Sequence, residues 1–190
     1  MLFILACVLA YLLGSIPFGL IYGKLLAKKD IRKVGSGNIG ATNAFRLGGS
    51  RLALLTLFSD IGKGMLAIYL AEALGTLSCD MYYVALMAIV GHIFPVWLHF
   101  KGGKGIATAF SVIFMLSPFC ALNLAAIWGG VFWQYRLSSL ASIVASASFI
   151  ILAMIYDVWF PFALLVSGML LYAHRENIQS ILQGKEVRIV

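Results

Sequence analysis

The strongest constraint on this chain is a succession of apolar stretches, each near the length of a membrane-crossing helix, joined by short polar loops rich in glycine and basic residues. The hydrocarbon core of a bilayer is about 30 Å thick and takes roughly 20 apolar residues per helical crossing. Hydrophobic residues make up 62% of the 190 residues and charged residues 11%, too little polar surface to coat a soluble domain of this size. The expected fold is therefore all-α, a polytopic integral membrane protein forming a single membrane domain over residues 1–190. Turn and charge signals bound the expected spans at 3–23, 52–75, 80–98, 106–117, 119–135, 138–156 and 158–173.

The first apolar run, Leu2 to Ile21, lacks a basic leader and continues into Lys24, Lys28 and Lys29. It reads as a retained first helix rather than a signal peptide. Residues 106–135 read as one long helix or as two crossings parted at Ser117-Pro118, where proline disfavours helix in the residue before it. Basic residues of short loops stay on the cytoplasmic side, and this rule separates the two options. With seven spans and the N-terminus outside, the inside loops hold Lys24, Lys28, Lys29, Arg32, Lys33, Arg46, Arg51, Lys101, Lys104, Arg136, Arg175, Lys185 and Arg188, all but Lys63 of the 14 cations. The outside loops hold the acids Glu72, Asp80 and Asp157. A single helix over 106–135 would put Arg136, Arg175, Lys185 and Arg188 outside. Seven spans with a cytoplasmic C-terminus is the expectation, with five or six as alternatives. Its cost is that 106–117 covers only about 18 Å, so this span needs shelter from neighbours or a locally thinned bilayer.

The net charge of +7 does not argue for nucleic acid, because the cations sit between apolar spans instead of forming a basic stripe on a folded surface. Cys7, Cys79 and Cys120 show no metal-like or redox-like spacing and read as packing residues. Of the inside-loop acids only Asp30, Glu176 and Glu186 are available, which gives no paired-carboxylate metal cluster. No cofactor, metal or obligate protein partner is called for.

Two inside loops carry the chemistry. Gly35-Ser36-Gly37-Asn38-Ile39-Gly40-Ala41-Thr42-Asn43, followed by Arg46, is rich in donors and free of acids. Glycines let successive N–H groups converge on an anion, and Ser36, Asn38, Thr42, Asn43 and Arg46 add side-chain donors; the alternative is a plain flexible connection. Lys101-Gly102-Gly103-Lys104-Gly105-Ile106-Ala107-Thr108 leads into a helix, so that amides, helix dipole and ammonium coincide where a phosphate fits. Its glycine spacing departs from that of an ATP-binding P-loop, and a basic stop facing anionic lipid is the plainer reading.

Near the C-terminus His174 and Asn177 are spaced to share one face of a continuing helix, as substrate contacts or as a dipole-balancing end. Asp60 and Lys63, within the second span, are expected to pair, since ionisable groups in a membrane are costly. His92 and His99 flank Pro95-Trp97, where interfacial packing accounts for them as well as chemistry does. Ser138, Ser139 and Ser142 beside Arg136 read as helix caps or as an extension of the anion site. No Asp–His pair is evident from the sequence.

Together, Leu12-Leu13-Gly14-Ser15-Ile16-Pro17, Gly35-Ser36-Gly37-Asn38-x-Gly40-Ala41-Thr42-Asn43, Gly91-His92-x-Phe94-Pro95, Lys101-Gly102-Gly103-Lys104-Gly105-x-Ala107-Thr108 and His174-x-x-Asn177-Ile178 resemble the acyl-phosphate-dependent glycerol-3-phosphate acyltransferases of bacterial membranes over almost the entire chain. The resemblance implies transfer of a fatty acyl group from acyl phosphate, without acyl-coenzyme A, to the 1-hydroxyl of sn-glycerol 3-phosphate. The products would be lysophosphatidate and phosphate, at the cytoplasmic face of the inner membrane, in the first acylation of phospholipid synthesis. It makes Ser36 and Arg46 essential, the glycines of the second loop with Lys104 a glycerol-phosphate cradle, and His174 and Asn177 contributors to activity. Ser180 departs from the pattern, since many relatives have arginine there. The rival class, a small transporter of phosphorylated anions, calls for a site near the bilayer midplane, whereas both glycine loops are expected on one face.

Overall fold

The computed structural model describes residues 1–188, and among these every regular element is helical. The chain divides into two compact units, Met1–Val112 and Ile113–Val190. The first unit contains α1 (Leu2–Gly14), α2 (Phe18–Leu26), α3 (Ala41–Ala73) and α4 (Met81–Ile93), and α5 (Ile106–Leu116) carries the chain across the boundary. The second contains α6 (Pro118–Tyr135), α7 (Ser138–Ile155), α8 (Phe160–Ala173) and α9 (Arg175–Leu182).

Four stretches are long and apolar enough to cross a bilayer, Leu2–Leu26, Ala41–Ala73, Ser78–Leu98 and Ser138–Ile155, with shorter apolar helices at Ile106–Leu116 and Phe160–Ala173. Their surfaces are inverted relative to a soluble protein. On α3 the buried face carries Thr56, Asp60, Lys63, Gly64 and Ala67, while Leu54, Leu55, Phe58, Leu66 and Tyr69 are exposed. That pattern suits a helix whose outer solvent is hydrocarbon and whose polar groups must be satisfied inside.

Within the first unit, α1 packs on α4 and α3, α2 packs on α3, and α3 packs on α4. The α1–α4 contact is built from small residues. Ala6, Ala10 and Gly14, four apart on one face of α1, are buried, as are Ala85, Ala88 and Gly91 on α4. A side chain at Gly14 would strike the Ala88 carbonyl, and one at Gly91 the Tyr11 carbonyl. In lipid, where apolar burial gives little net drive for helices to associate, such close backbone approach supplies the packing energy.

The structure departs from the expected spans in three places. The span at 3–23 is broken at Ser15–Pro17, because Pro17 has no N–H to continue the ladder. The Ile16 carbonyl accepts from the Phe18 amide at 3.1 Å and from Lys63 Nζ at 3.0 Å. The helix expected from residue 52 starts at Ala41, bending at Gly48 and Gly49, where Gly49 has φ 69°; the polar first turns are helical although they extend no apolar run. In the third expected span, 80–98, the helix α4 ends at Ile93, with Tyr11 Oη donating to the Phe94 carbonyl at 3.0 Å and a short 3-10 turn over Val96–Leu98 beyond Pro95.

In the second unit α6 packs on α7, α7 on α8, and α9 on both α7 and α8. Arg136, at φ 58°, turns the chain between α6 and α7. Two sequence expectations need correcting here. The helix does not continue through His174, because the residue sits at φ −97°, ψ 7° between α8 and α9 and so occupies the N-cap of α9 with Asn177 in its first turn. Nor do the serines cap α7. Its N-cap is Leu137 without a side-chain bond, and Ser142 and Ser146 instead donate to the carbonyls of Ser138 and Ser142 at 2.8 and 2.7 Å.

Candidate active site

The polar loop over residues 28–40 is pinned at both ends by its own isoleucines. Ile31 and Ile39 are buried with Leu20, Ala44 and Leu52, and Tyr22, Ala27, Leu47 and Leu98 pack around them. Leu98 belongs to the stretch leading into the second glycine loop, so the two polar loops meet at one end of this unit. The polar segment between the isoleucines turns through Gly35 (φ 56°) and Gly37 (φ 70°), both in the left-handed region that glycine adopts without strain.

Asn43 organises the turn from the first helical turn of α3. Its Nδ2 donates to the carbonyls of Ile31 (3.0 Å), Val34 (2.9 Å) and Asn38 (2.9 Å), and its Oδ1 accepts from the Ser36 amide at 3.1 Å. The side chain is buried, and its amide works on the loop backbone. Asn38 Oδ1 accepts from the Gly40 amide at 2.8 Å. Ser36 and Arg46 are exposed, and the Arg46 stem lies over Gly35, where an added Cβ would sit 3.3 Å from Arg46 Cδ. The amides of Ala41 and Thr42 open α3 and have no acceptor within the helix. The segment thus presents a hydroxyl, a guanidinium and a helix N-terminus on one polar patch. Asp30 stands at its edge, taking bonds from the Arg32 amide (3.0 Å), Nε (3.0 Å) and Nη2 (2.7 Å). Those bonds hold the Asp30 carboxyl well below the usual carboxylate range.

The second loop doubles back on the end of α4. The Gly102 amide donates to the Ile93 carbonyl and the Gly103 amide to that of His92, both at 3.0 Å. Those two N–H groups therefore finish α4 and are taken up within the protein. A side chain at Gly102 would meet the His92 and Ile93 carbonyls and the Pro95 ring; one at Gly103 would meet His92 Nε2. Gly105, at φ 82°, turns the chain into α5.

Below this loop lies a buried polar cluster. Asp60 and Lys63 pair at 2.8 Å, as their spacing predicts. His92 Nδ1 lies 3.6 Å from Asp60 Oδ1 and 3.2 Å from Thr108 Oγ1, which in turn donates to the Asp60 main-chain carbonyl at 3.2 Å. A buried Asp–His contact, too long at 3.6 Å for a hydrogen bond, is thus present. It escapes a sequence reading because its partners stand 32 residues apart on α3 and α4.

In the second unit, Ser139 Oγ and Asn177 Nδ2 both donate to Glu186 Oε1, at 2.6 and 2.7 Å. Ser142 Oγ accepts from Trp128 Nε1 at 3.0 Å. His174 is buried, with Nδ1 2.8 Å from the Leu170 carbonyl. A carbonyl only accepts, so the neutral ring carries its proton on Nδ1 and Nε2 is the basic nitrogen. Glu186 is a site neighbour that the sequence did not single out. Among the described residues no group of three His, Cys, Asp or Glu side chains is placed to hold a metal ion.

Residues 4–184 match the family model described as glycerol-3-phosphate acyltransferase. The glycerol-3-phosphate acyltransferase of Wolbachia pipientis subsp. Culex pipiens is 43% identical over 94% of this chain and 94% of its own. That of Coxiella burnetii is 39% identical over 100% and 99%. Among solved structures, the integral membrane glycerol 3-phosphate acyltransferase PlsY (YgiH) in its glycerol 3-phosphate form aligns with TM-score 0.92 at 39% identity, covering 99% of this chain and 96% of that one. Its lysophosphatidic acid form aligns with TM-score 0.89 at 38% identity.

Proposed function

Because this chain belongs to the glycerol-3-phosphate acyltransferase family, we propose that it transfers a fatty acyl group from acyl phosphate, without acyl-coenzyme A, to the 1-hydroxyl of sn-glycerol 3-phosphate. Lysophosphatidate and phosphate are the products. The observation that carries this reading is the near full-length likeness to a structure holding glycerol 3-phosphate. We place the protein in the bacterial inner membrane with seven crossings, the N-terminus outside, and the two glycine loops on the cytoplasmic face; the distribution of basic residues supports this arrangement.

Acyl phosphate is already an activated mixed anhydride. The protein therefore has to position two anionic substrates and neutralise charge as the tetrahedral oxyanion forms. In this reading Arg46, Ser36 and the first-turn amides of α3 hold one phosphate. Lys104 and the opening turn of α5 cradle the other, with Gly102, Gly103 and Gly105 allowing the loop its close course. The buried Thr108 hydroxyl is turned inward to the Asp60 carbonyl and the His92 ring rather than to a ligand. Within the second unit, His174 and Asn177, with Ser139 and Ser142, are the candidate contributors to activity. The hydroxyl attacks the acyl carbon, the acyl–phosphate C–O bond breaks, and the hydroxyl proton passes to the departing phosphate. His174 is the alternative base, favoured by the orientation of its ring, with Nδ1 engaged and Nε2 basic.

Purified protein given radiolabelled glycerol 3-phosphate is expected to form lysophosphatidate with palmitoyl phosphate and not with palmitoyl-coenzyme A. Product with coenzyme A alone, or with neither donor, overturns the assignment. Near-normal turnover in His174→Gln excludes the histidine base.

A further inference from the structure

The glycine loop over Lys101–Gly105 cannot anchor itself, since three of its five residues lack side chains. It is held by two backbone bonds to α4 and by the His92 ring packed beneath Gly103. The hydrogen-bond directions around that ring are determined. The Asp60 carbonyl can only accept, so the Thr108 hydroxyl gives its one proton there and must receive from His92 Nδ1–H. Asp60 Oδ1, 3.6 Å away, favours the same tautomer. The lone pair of Nε2 then faces Gly103, where a Cα–H contact suits it.

The chain of contacts continues outward. Lys63 balances the Asp60 charge and ties it to the Ile16 carbonyl at the α1–α2 break. The glycine loop is thereby registered against α3, α4 and the first turn of α5 through one ring. Polar side chains buried at membrane depth are costly, and here they converge beneath the glycine loop.

We infer that His92 and Thr108 are positioning residues that set the register of the glycine loop, and hence of Lys104 and the α5 N-terminus, for glycerol 3-phosphate. The inference rests on the proposed role of that loop in substrate binding. Thr108→Val keeps the shape of the side chain and deletes the hydroxyl bridge, whereas Thr108→Ser keeps the bridge. For Thr108→Val, KM for glycerol 3-phosphate is expected to rise about tenfold, the worth of one buried hydrogen bond. Its kcat and its KM for acyl phosphate should stay within about twofold of the parent, and Thr108→Ser should restore KM. Hydrogen exchange at residues 102–105 should quicken in Thr108→Val and in His92→Asn, with the interior of α4 unchanged. A merely structural role would lower active protein and move both substrates alike. Unchanged KM, parallel changes for both substrates, failure of the serine rescue, or unchanged loop exchange each overturns the inference. If the parent forms no lysophosphatidate from acyl phosphate, the proposed activity falls, and the exchange comparison still decides whether the cluster positions the loop.

Discussion

The Asp60–Lys63 pair allows a quantitative test of how this fold tolerates charge at membrane depth. The groups are 2.8 Å apart with side chains 4% and 3% exposed. Lys63→Met leaves a buried carboxylate whose remaining neighbour is the His92 ring, and Asp60→Asn leaves a buried ammonium on the Ile16 carbonyl. Removing one partner of a buried pair costs about 3–5 kcal/mol, because the other charge is left uncompensated, whereas replacing both is often close to neutral. The double variant still loses the Lys63 bond to Ile16, about 1.5–3 kcal/mol for a charged donor. The two single changes should therefore sum to roughly 6–10 kcal/mol, and the double variant should cost roughly 1.5–3 kcal/mol. A favourable coupling of several kcal/mol remains. The assay is the temperature at which half of each purified variant survives in detergent as a monodisperse peak on gel filtration. The double variant should be distinctly more heat-stable than either single one. A double variant no better than the worse single one would refute the argument, since the two groups would then not be compensating one another.

Three further outcomes follow from the geometry. Asn43→Asp replaces the donor to three carbonyls with a charged acceptor, so activity should fall at least a hundredfold, about 3 kcal/mol, and limited trypsin digestion should cut faster at Lys33. Gly49→Ala places a side chain at φ 69°, ψ −164°, a region essentially reserved for glycine, and should cost about 1–3 kcal/mol, whereas Gly129→Ala, helical and with open space around it, should be neutral or stabilise by about 1 kcal/mol; thermal survival checks the pair. The Asp30 carboxyl is depressed in the folded loop, so its contribution is complete above the ordinary value of 3.8 and is lost as pH falls below that. Cleavage at Lys33 should therefore be insensitive to pH between about 5 and 8, and Asp30→Asn should speed it throughout that range.

Apolar runs in the sequence located the later helices closely, because lipid-facing surface must be apolar whatever the packing inside. The expected 106–117, 119–135 and 138–156 correspond to Ile106–Leu116, Pro118–Tyr135 and Ser138–Ile155. The start of α3 at Ala41 was not legible, because its first turns are polar and helical while a hydropathy reading sees only membrane crossings. At the candidate site, the pairing of Asp60 with Lys63 followed from the cost of burying either alone. The duties of Gly102, Gly103 and Asn43 did not follow from their residue types. Glycine amides and an asparagine side chain serve equally well to bind a ligand or to finish a helix and brace a turn. Which one they do depends on the nearness of the His92 and Ile93 carbonyls, a tertiary fact. The Asp60–His92–Thr108 cluster is invisible for the same reason, since its members come from three helices.

The bend at Gly48–Gly49 separates a seven-residue helical piece bearing Arg46 from a long shaft over residues 50–73. That shaft measures roughly 36 Å, longer than a hydrocarbon core of about 30 Å, so it accommodates membranes of different thickness by leaning. Because the lean can be taken up at the glycine joint, the loop proposed to hold an anion need not swing with the shaft. The two glycines thus part the long apolar shaft of α3 from the polar loop that precedes it.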